Sequence, residues 1–390
     1  MSTYQNKRGT NDRWTSQNLV LAEGEIGVNL DDTSSIKIGD GITPWNDLSY
    51  AGSNPNIVTG ITFSDNYMSA SINDINMRSS LLGSVAFNEL VNCFGAMTLS
   101  NLSNALRLDL PKLQYAFSLT ISANPLLSNI SFDNLGLLDS SLNLTSMAGL
   151  TAVSMSSLTS IGSLLTISTS ANLRSLNFPS LVTVSGNFNL SLNLTSMDFN
   201  NLATVTGSFT PNVTGLTACS FPALVSTGAF TPSFANATSA NLNNLTTITG
   251  AFNPASLAAL TSLSMPALAT VTSTFTLSSS SITLVSAPSM ITVGTVSFTM
   301  SSLTNTTGFW TVGTLKSVGG NITMSNASFT QASVDHILAV VASLDGTNGT
   351  TSWGTGKSLN LTGANMATPS ATGLSNKAII VARGGTVTNH

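Results

Sequence analysis

Apolar residues return along this chain with a period close to 22, in eleven copies between about residues 87 and 315. The clearest copies read FPSLVTVSGNF (178–188), FNNLATVTGSF (199–209), FPALVSTGAF (221–230), LNNLTTITGAF (242–252) and MPALATVTSTF (265–275). One apolar anchor per copy marks the series: Leu90, Leu113, Leu135, Leu158, Leu181, Leu202, Leu224, Leu245, Leu268, Met290 and Leu315. After the anchor come an apolar residue at +3 (Val184, Val205, Ile248, Val271), a Gly near +5 (Gly186, Gly207, Gly250) and an aromatic at +7 (Phe188, Phe209, Phe252, Phe275). Thr and Val favour strands, Gly marks a bend between them, and no helical period of 3.6 runs through the copies. The pattern predicts a mainly β fold, a β-solenoid of about eleven turns in which each turn buries its apolar face only by stacking on its neighbours. At ~4.8 Å per turn such a rod is about 50 Å long.

Both ends break the pattern. Within residues 1–52, the stretches 25–30 and 35–38 alternate, and Asp31-Asp32-Thr33-Ser34 supplies turn chemistry between them. That predicts a β-hairpin with Ile26, Val28, Ile36 and Ile38 as its apolar positions, followed by a Gly39-Asp40-Gly41 turn and closed by Trp45 and Leu48. So few large apolar groups make a poor independent core, and association with further copies is expected. Residues 53–86 read as a Ser/Asn/Gly-rich connector and residues 87–330 as the repeats. Residues 331–390 predict a small α/β unit. Ser333 N-caps a helix whose face carries Val334, Ile337, Leu338, Val341 and Leu344, and Gly346 and Gly349 end it. A strand at 359–361, a helix from Pro369 to about Arg383 and a strand at 386–388 complete the unit. An open solenoid end exposes unpaired backbone and an apolar cross-section, so this unit is read as a terminal cap.

Composition narrows the function classes. Charged residues are 7% of the chain, against about 25% in typical globular proteins, and none lies between Phe199 and Leu315. With 42% hydrophobic residues the chain is not generally disordered. A net charge of −4 with 12 Lys and Arg argues against a nucleic-acid partner, which needs a basic surface. No apolar run approaches the 18 or so residues that span a bilayer, so no membrane insertion is expected. The first residues lack the apolar core of a secretory signal, so the Asn-X-Ser/Thr triplets, as at Asn193, Asn212 and Asn244, read as by-products of composition. Cys93 and Cys219 lie six repeats apart, roughly 29 Å along the rod, far beyond the ~7 Å limit of a disulfide, and are read as free thiols filling the core.

Candidate chemistry is sparse. His336 stands beside Asp335 on the predicted helix and His390 is the last residue; with no nucleophile placed against them they read as exposed residues. Asp109 and Asp133 fall on adjacent turns, roughly 8 Å apart, inside the window of about 6.5–9.5 Å used by inverting glycosidases. Both flank strand edges, where Asp commonly solvates a turn, and that reading is preferred. Asp40, between two glycines, is read as a turn residue rather than a calcium ligand. No Cys/His cluster suits zinc and no phosphate- or dinucleotide-binding glycine motif occurs, so neither metal nor cofactor is expected. Phe234, Phe309, Trp310 and Trp353 lie off the repeat ladder and read as filler, with stacking on a glycan as the alternative.

Residues Lys7-Arg8-Gly9-Thr10, Trp14, Ala22-Glu23-Gly24-Glu25-Ile26-Gly27-Val28, Ile36-Lys37-Ile38-Gly39-Asp40-Gly41, Trp45-Asn46-Asp47-Leu48 and Tyr50 resemble a module at the front of many bacteriophage tail fibres and related virion appendages. The resemblance implies a small trimeric β-prism that attaches the fibre to a tail, baseplate or adaptor protein. Arg8, Gly9, Thr10, Trp14, Glu25, Ile26, Gly27, Ile38, Gly39, Asp40, Gly41 and Trp45 are then the attachment and trimerisation residues. The tip Asp31-Asp32-Thr33-Ser34-Ser35 is longer than the usual tight turn. The repeats are similar to leucine-rich or receptor-L-type solenoids, and residues 333–390 to caps that follow such repeats in phage and bacterial proteins. Together these imply a non-enzymatic homotrimeric tail fibre in the virion that presents its solenoid to a host-surface glycan or protein. The alternatives are a head or collar decoration fibre without a receptor, and a glycan depolymerase.

Overall fold

The structure, a computed structural model, describes residues 7–31, 36–48, 61–63, 71–72, 75–78, 83–279, 281–299, 309–325, 327–363 and 365–389. Its main body is a β-solenoid of about 12 turns. One turn shows how the repeat becomes structure. The strand Ser175–Asn177 leads into a tight turn closed by the Leu181 amide donating to the Phe178 carbonyl at 3.2 Å. The short strand Thr183–Val184 follows, then a bend at Gly186, then Phe188–Leu192. Each strand pairs in parallel with its counterpart one turn away: Thr183 with Ser160 and Thr204, Phe188 with Leu165 and Phe209. The glycines sit at the bend because turns approach closely there. A Cβ on Gly228 would strike the carbonyl of Gly207 one turn before.

All eleven anchors are buried. The +7 aromatics form a continuous column: Phe209 packs edge-on to Phe188 at 4.8 Å and stacks on Phe230 at 5.0 Å, and Phe252 and Phe275 extend it. Outside this column, exposed asparagines tie successive turns together. Asn134, Asn201 and Asn244 each donate to the proline carbonyl of the preceding turn (Pro111, Pro179, Pro222) at 2.6–2.7 Å. Cys93 and Cys219 are free and buried, and burial alone pushes the Cys219 thiol up to about 12.

Several expectations change in detail. The strands Ile61–Phe63, Ser71–Ile72, Ile75–Arg78 and Ser84–Phe87 already pair in parallel with the first turns, so the ladder reaches into the segment read as connector. The rest of residues 53–82 lies outside the described residues. Helix α2 spans Gln331–Ala342 and is capped by Thr330, not Ser333; the Thr330 hydroxyl accepts from the Ser333 amide, and Ser333 itself is buried. It ends at Ser343, before Gly346 and Gly349, which take positive φ of 87° and 73° in the following turn. Strands Ser358–Thr362 and Thr386–Asn389 continue the parallel ladder, and α3 (Ala371–Ala382), capped by Ser370, packs on α2. Among the described residues no helix is long and apolar enough to cross a membrane.

Four side chains offered as glycan-stacking alternatives are all interior: Phe234, Phe309, Trp310 and Trp353 are at most 1% exposed. Nor are His336 and Asp335 exposed helix residues. Both are half-buried, with His336 Nε2 2.9 Å from the Trp310 carbonyl and Asp335 accepting from the Ser370 amide at the start of α3. Asp335 ties α2 to α3, and His336 ties α2 back to the Trp310 backbone. His390 lies outside the described residues.

Candidate functional site

The N-terminal module has its own small core of Trp14, Leu21 and Trp45, with Leu48 against it, separate from the solenoid core. Strand β1 (Lys7–Gly9) runs parallel to β2 (Ile26–Asn29), which pairs antiparallel with β3 (Ile36–Ile38). The predicted hairpin is therefore present; its tip, residues 32–35, lies outside the described residues. A short helix between β1 and β2, α1 (Asn11–Gln17), carries Trp14 inward and is capped by Thr10.

Trp14 and Trp45 stack with centroids 4.1 Å apart and planes 13° from parallel, and Trp14 Nε1 donates to the Val28 carbonyl at 2.9 Å. Small residues make room for the rings. A Cβ on Gly9 would lie 3.1 Å from Trp14 Nε1, one on Gly27 would collide with Trp45, and one on Gly39 with the Ala22 carbonyl. Lys37 is buried over the Trp45 ring at 4.8 Å and donates to the Trp45 carbonyl at 2.5 Å; its pKa is lowered by burial, which outweighs the opposing charge of Asp47. Glu25 accepts from the Ala22 amide and from Lys7 Nζ at 3.0 Å. Asp40 accepts from the Ile42 and Thr43 amides and from the Thr43 hydroxyl, which hold its carboxyl at about 2; Gly41 beside it takes a φ of 77°. Asp40 is thus a turn clasp. Arg8 is exposed on β1.

The hairpin's alternation runs opposite to the simplest expectation. Gly27, Asn29 and Lys37 face the tryptophans and are buried, whereas Ile26, Val28 and Ile36 are half-buried and Ile38 is exposed. Cross-strand register pairs Ile26 with Ile38 and Val28 with Ile36, so the four form one apolar patch on the face turned away from the module's own core. Leu19, Val20, Leu30 and Ile42 are exposed as well. "Apolar means inside" failed here because glycines and a cation–π lysine fill the inner face.

A second concavity lies on the solenoid flank. Strand Arg107–Asp109 pairs with Ser84–Phe87 and strand Asn129–Ser131 with Ala152–Ser154, but the two do not pair with each other. The gap is part of a cleft of about 710 Å³ lined by residues from Leu106 to Pro111 and from Ser128 to Asn134. Asp109 and Asp133 both line it. Asp109 holds Arg107 Nε at 2.7 Å; Asp133 accepts from the Ser131 and Ser154 hydroxyls at 2.6 Å and from the Ser156 amide, and these hydroxyls hold it at about 2. Among the described residues no three His, Cys, Asp or Glu side chains gather to hold a metal.

Residues missed by the sequence reading stand on the outer face of the first turns. Phe94 is 56% exposed and Phe117 45%, with Leu137 at 36% and Tyr115 half-buried. The Tyr115 hydroxyl donates to Asp139 at 2.6 Å, which raises the phenol's pKa. A Phe in a Leu-rich repeat looks like core; only the register shows these two turned outward.

Residues 5–43 match the major tropism determinant N-terminal domain, a phage-associated family. The match covers β1, α1, β2 and β3 and stops just short of Trp45. No curated protein and no solved structure matches the chain.

Proposed function

We propose that this chain is a non-enzymatic bacteriophage tail-fibre or tropism-type protein of the virion. Its N-terminal module trimerises and attaches it to a tail, baseplate or adaptor protein, and its solenoid, closed by the C-terminal α/β unit, meets a glycan or protein of the host surface. One observation carries the reading: the family match falls on a module whose hairpin turns Ile26, Val28, Ile36 and Ile38 away from its own core. A core of three large side chains is too small to hold such a module alone, and covering that patch with copies of itself supplies the missing burial. The non-enzymatic reading is supported by the state of the paired aspartates. A glycosidase needs one carboxyl that keeps its proton near neutral pH, while Asp133 is held ionised by its Ser131 and Ser154 hydroxyl partners.

Removing residues 1–52 tests the assignment. The truncated chain is expected to fold, to sediment as a smaller species than the full chain, and to be missing from particles. Incorporation into particles at the normal level would remove the attachment role; a full chain that sediments as a monomer would remove the trimer.

A further inference from the structure

On the broad sheet, two outward-facing lattice positions can be followed turn by turn. The residue two after the anchor is Asn92, then Tyr115 and Leu137, and every later turn carries Ser or Thr there, from Ser160 to Ser317. At the bend two residues further on, Phe117 is followed by Asp139, and every later turn carries Gly, Ser or Thr, from Gly162 to Gly319. Eight or more turns therefore build the same ladder with small polar residues at these places, so the aromatics of the first turns are not needed for the fold. Phe94 stands at the same place as Phe117, four residues after its own anchor Leu90. Register slips where Ala116–Ser118 opposes Cys93–Ala96, one residue longer, and Phe94 stands outward there, its ring 5.6 Å from that of Tyr115. Exposed aromatics without a packing role are a mark of a binding surface.

We propose that Phe94, Tyr115, Phe117, Leu137 and Asp139 form a glycan-binding site, the point at which the solenoid touches a host-surface saccharide. The proposal deepens the host-surface reading above and rests on it. A pyranose presents an apolar C–H face and an edge of hydroxyls. C–H groups sit well on the electron-rich faces of aromatic rings, which Phe94 and Phe117 expose. The hydroxyl edge needs an oriented acceptor. Asp139 is one: Oδ2 is fixed by the Tyr115 hydroxyl, and Oδ1 has no partner among the described residues. The neighbouring Glu89 and Lys112 neutralise each other at 2.5 Å, which leaves the Asp139 carboxylate as the charge of the patch. Size favours a saccharide over a protein. The apolar group covers three turns, on the order of 10 Å, suited to one or two sugar rings, whereas a stable protein interface takes about 800 Å² and 20–30 residues a side.

The full-length chain, titrated against a panel of soluble neutral and acidic hexopyranose oligosaccharides and read by saturation-transfer NMR, tests the site. The chain is expected to bind at least one member. The F94A/F117S double variant, which replaces both rings by small side chains, is expected to lose about ten-fold or more in affinity with unchanged thermal unfolding. Val182→Thr combined with Val225→Thr, at exposed apolar residues of later turns, is expected to bind normally. Should the double variant melt early, Asp139→Ala reads the same site without touching an aromatic. No binding to any oligosaccharide, or binding that survives F94A/F117S intact, overturns the proposal. Competition of the purified chain with particles for host cells is read in parallel. A chain that blocks adsorption yet binds no oligosaccharide sinks this inference, makes a protein the receptor, and leaves the host-surface reading standing.

Discussion

Turns before about residue 140 and turns between Phe199 and Leu315 share one backbone and differ in almost everything outside it. The first group carries Glu89, Arg107, Asp109, Lys112, Asp133 and Asp139, the flank cleft, and phenylalanines pointing outward. The second carries no ionisable carboxylate or cation, and its phenylalanines are all buried. Because a solenoid needs only its inward positions to be apolar and its bends to be narrow, outward positions can drift toward small polar residues without cost. Departure from that background is then the informative signal, and it is concentrated at one end of the ladder. The long uncharged stretch has the composition of an aggregating β-segment, yet its main-sheet strands Thr204–Val205, Ser226–Thr227, Thr247–Ile248 and Thr270–Ser278 are each paired on both sides by the turns above and below.

The largest expected effect comes from treating the same residue type alike in both regions. Phe209 touches Phe188, Phe221 and Phe230 and is fully buried. Phe209→Ala is expected to cost about 3–5 kcal/mol, the usual range for an aromatic cavity. Phe94→Ala, at an exposed position, is expected to stay within about 0.5 kcal/mol. Urea unfolding followed by circular dichroism separates them. Equal shifts in midpoint would mean that the outward placement of Phe94 is wrong.

A smaller effect of opposite sign is expected inside the uncharged region. The +3 position is Val205 in one turn and Ile248 two turns later, and between them in register stands Thr227, 2% exposed, its hydroxyl without a partner among the described residues. An unsatisfied buried hydroxyl is destabilising by about 1–3 kcal/mol, and Val fills nearly the same volume. Thr227→Val should therefore raise stability by about 1 kcal/mol or more, seen as a higher urea midpoint. A lower midpoint would show that the hydroxyl has a partner after all.

Much of this architecture was legible because one-sided burial at a fixed period leaves few alternatives: Leu90 to Leu315 fell on the interior without exception. What escaped the sequence depended on register and on neighbours far along the chain. The first strands, such as Ile75–Arg78, lack the anchor, Gly and Phe order, and declare themselves only by pairing with Asn92–Ser100. In the N-terminal module, period-two alternation predicted the pairing of β2 with β3 but not which face would close on Trp14 and Trp45, since that choice is made by the space beside Gly27 and Gly39. Thr330 took the cap predicted for Ser333 because a helix begins where a hydroxyl can reach the third amide, and both residues qualify locally. The outward aromatics Phe94 and Phe117 declare themselves only once the strand register turns the fourth residue after each anchor to the surface.

The subtlest difference between the two regions is their response to acid. Asp133 binds Ser131 in its own turn and Ser154 and Ser156 in the next, and these bonds, the Ser131 hydroxyl first, lower its pKa to about 2 from the ordinary 3.8. A carboxyl whose pKa is depressed by folding stabilises the fold fully above its unfolded value and loses that contribution as pH falls through the folded one. Stability tied to Asp133 should therefore decline between about pH 4 and pH 2. The side chain is largely exposed, so after solvent screening the change should amount to less than about 1 kcal/mol. Turns between Phe199 and Leu315 have no group that titrates in that window, Cys219 being pushed to about 12, and their protection should be flat. Hydrogen exchange separates the two, because a repeat array opens locally and each turn reports mainly on its neighbours. The strand Ala152–Ser154 should lose protection on acidification while Phe209–Val213 holds, and Asp133→Asn should flatten the first response. If both strands weaken together, or if Asp133→Asn leaves the acid response in place, the carboxylate clasp is not what joins these two turns.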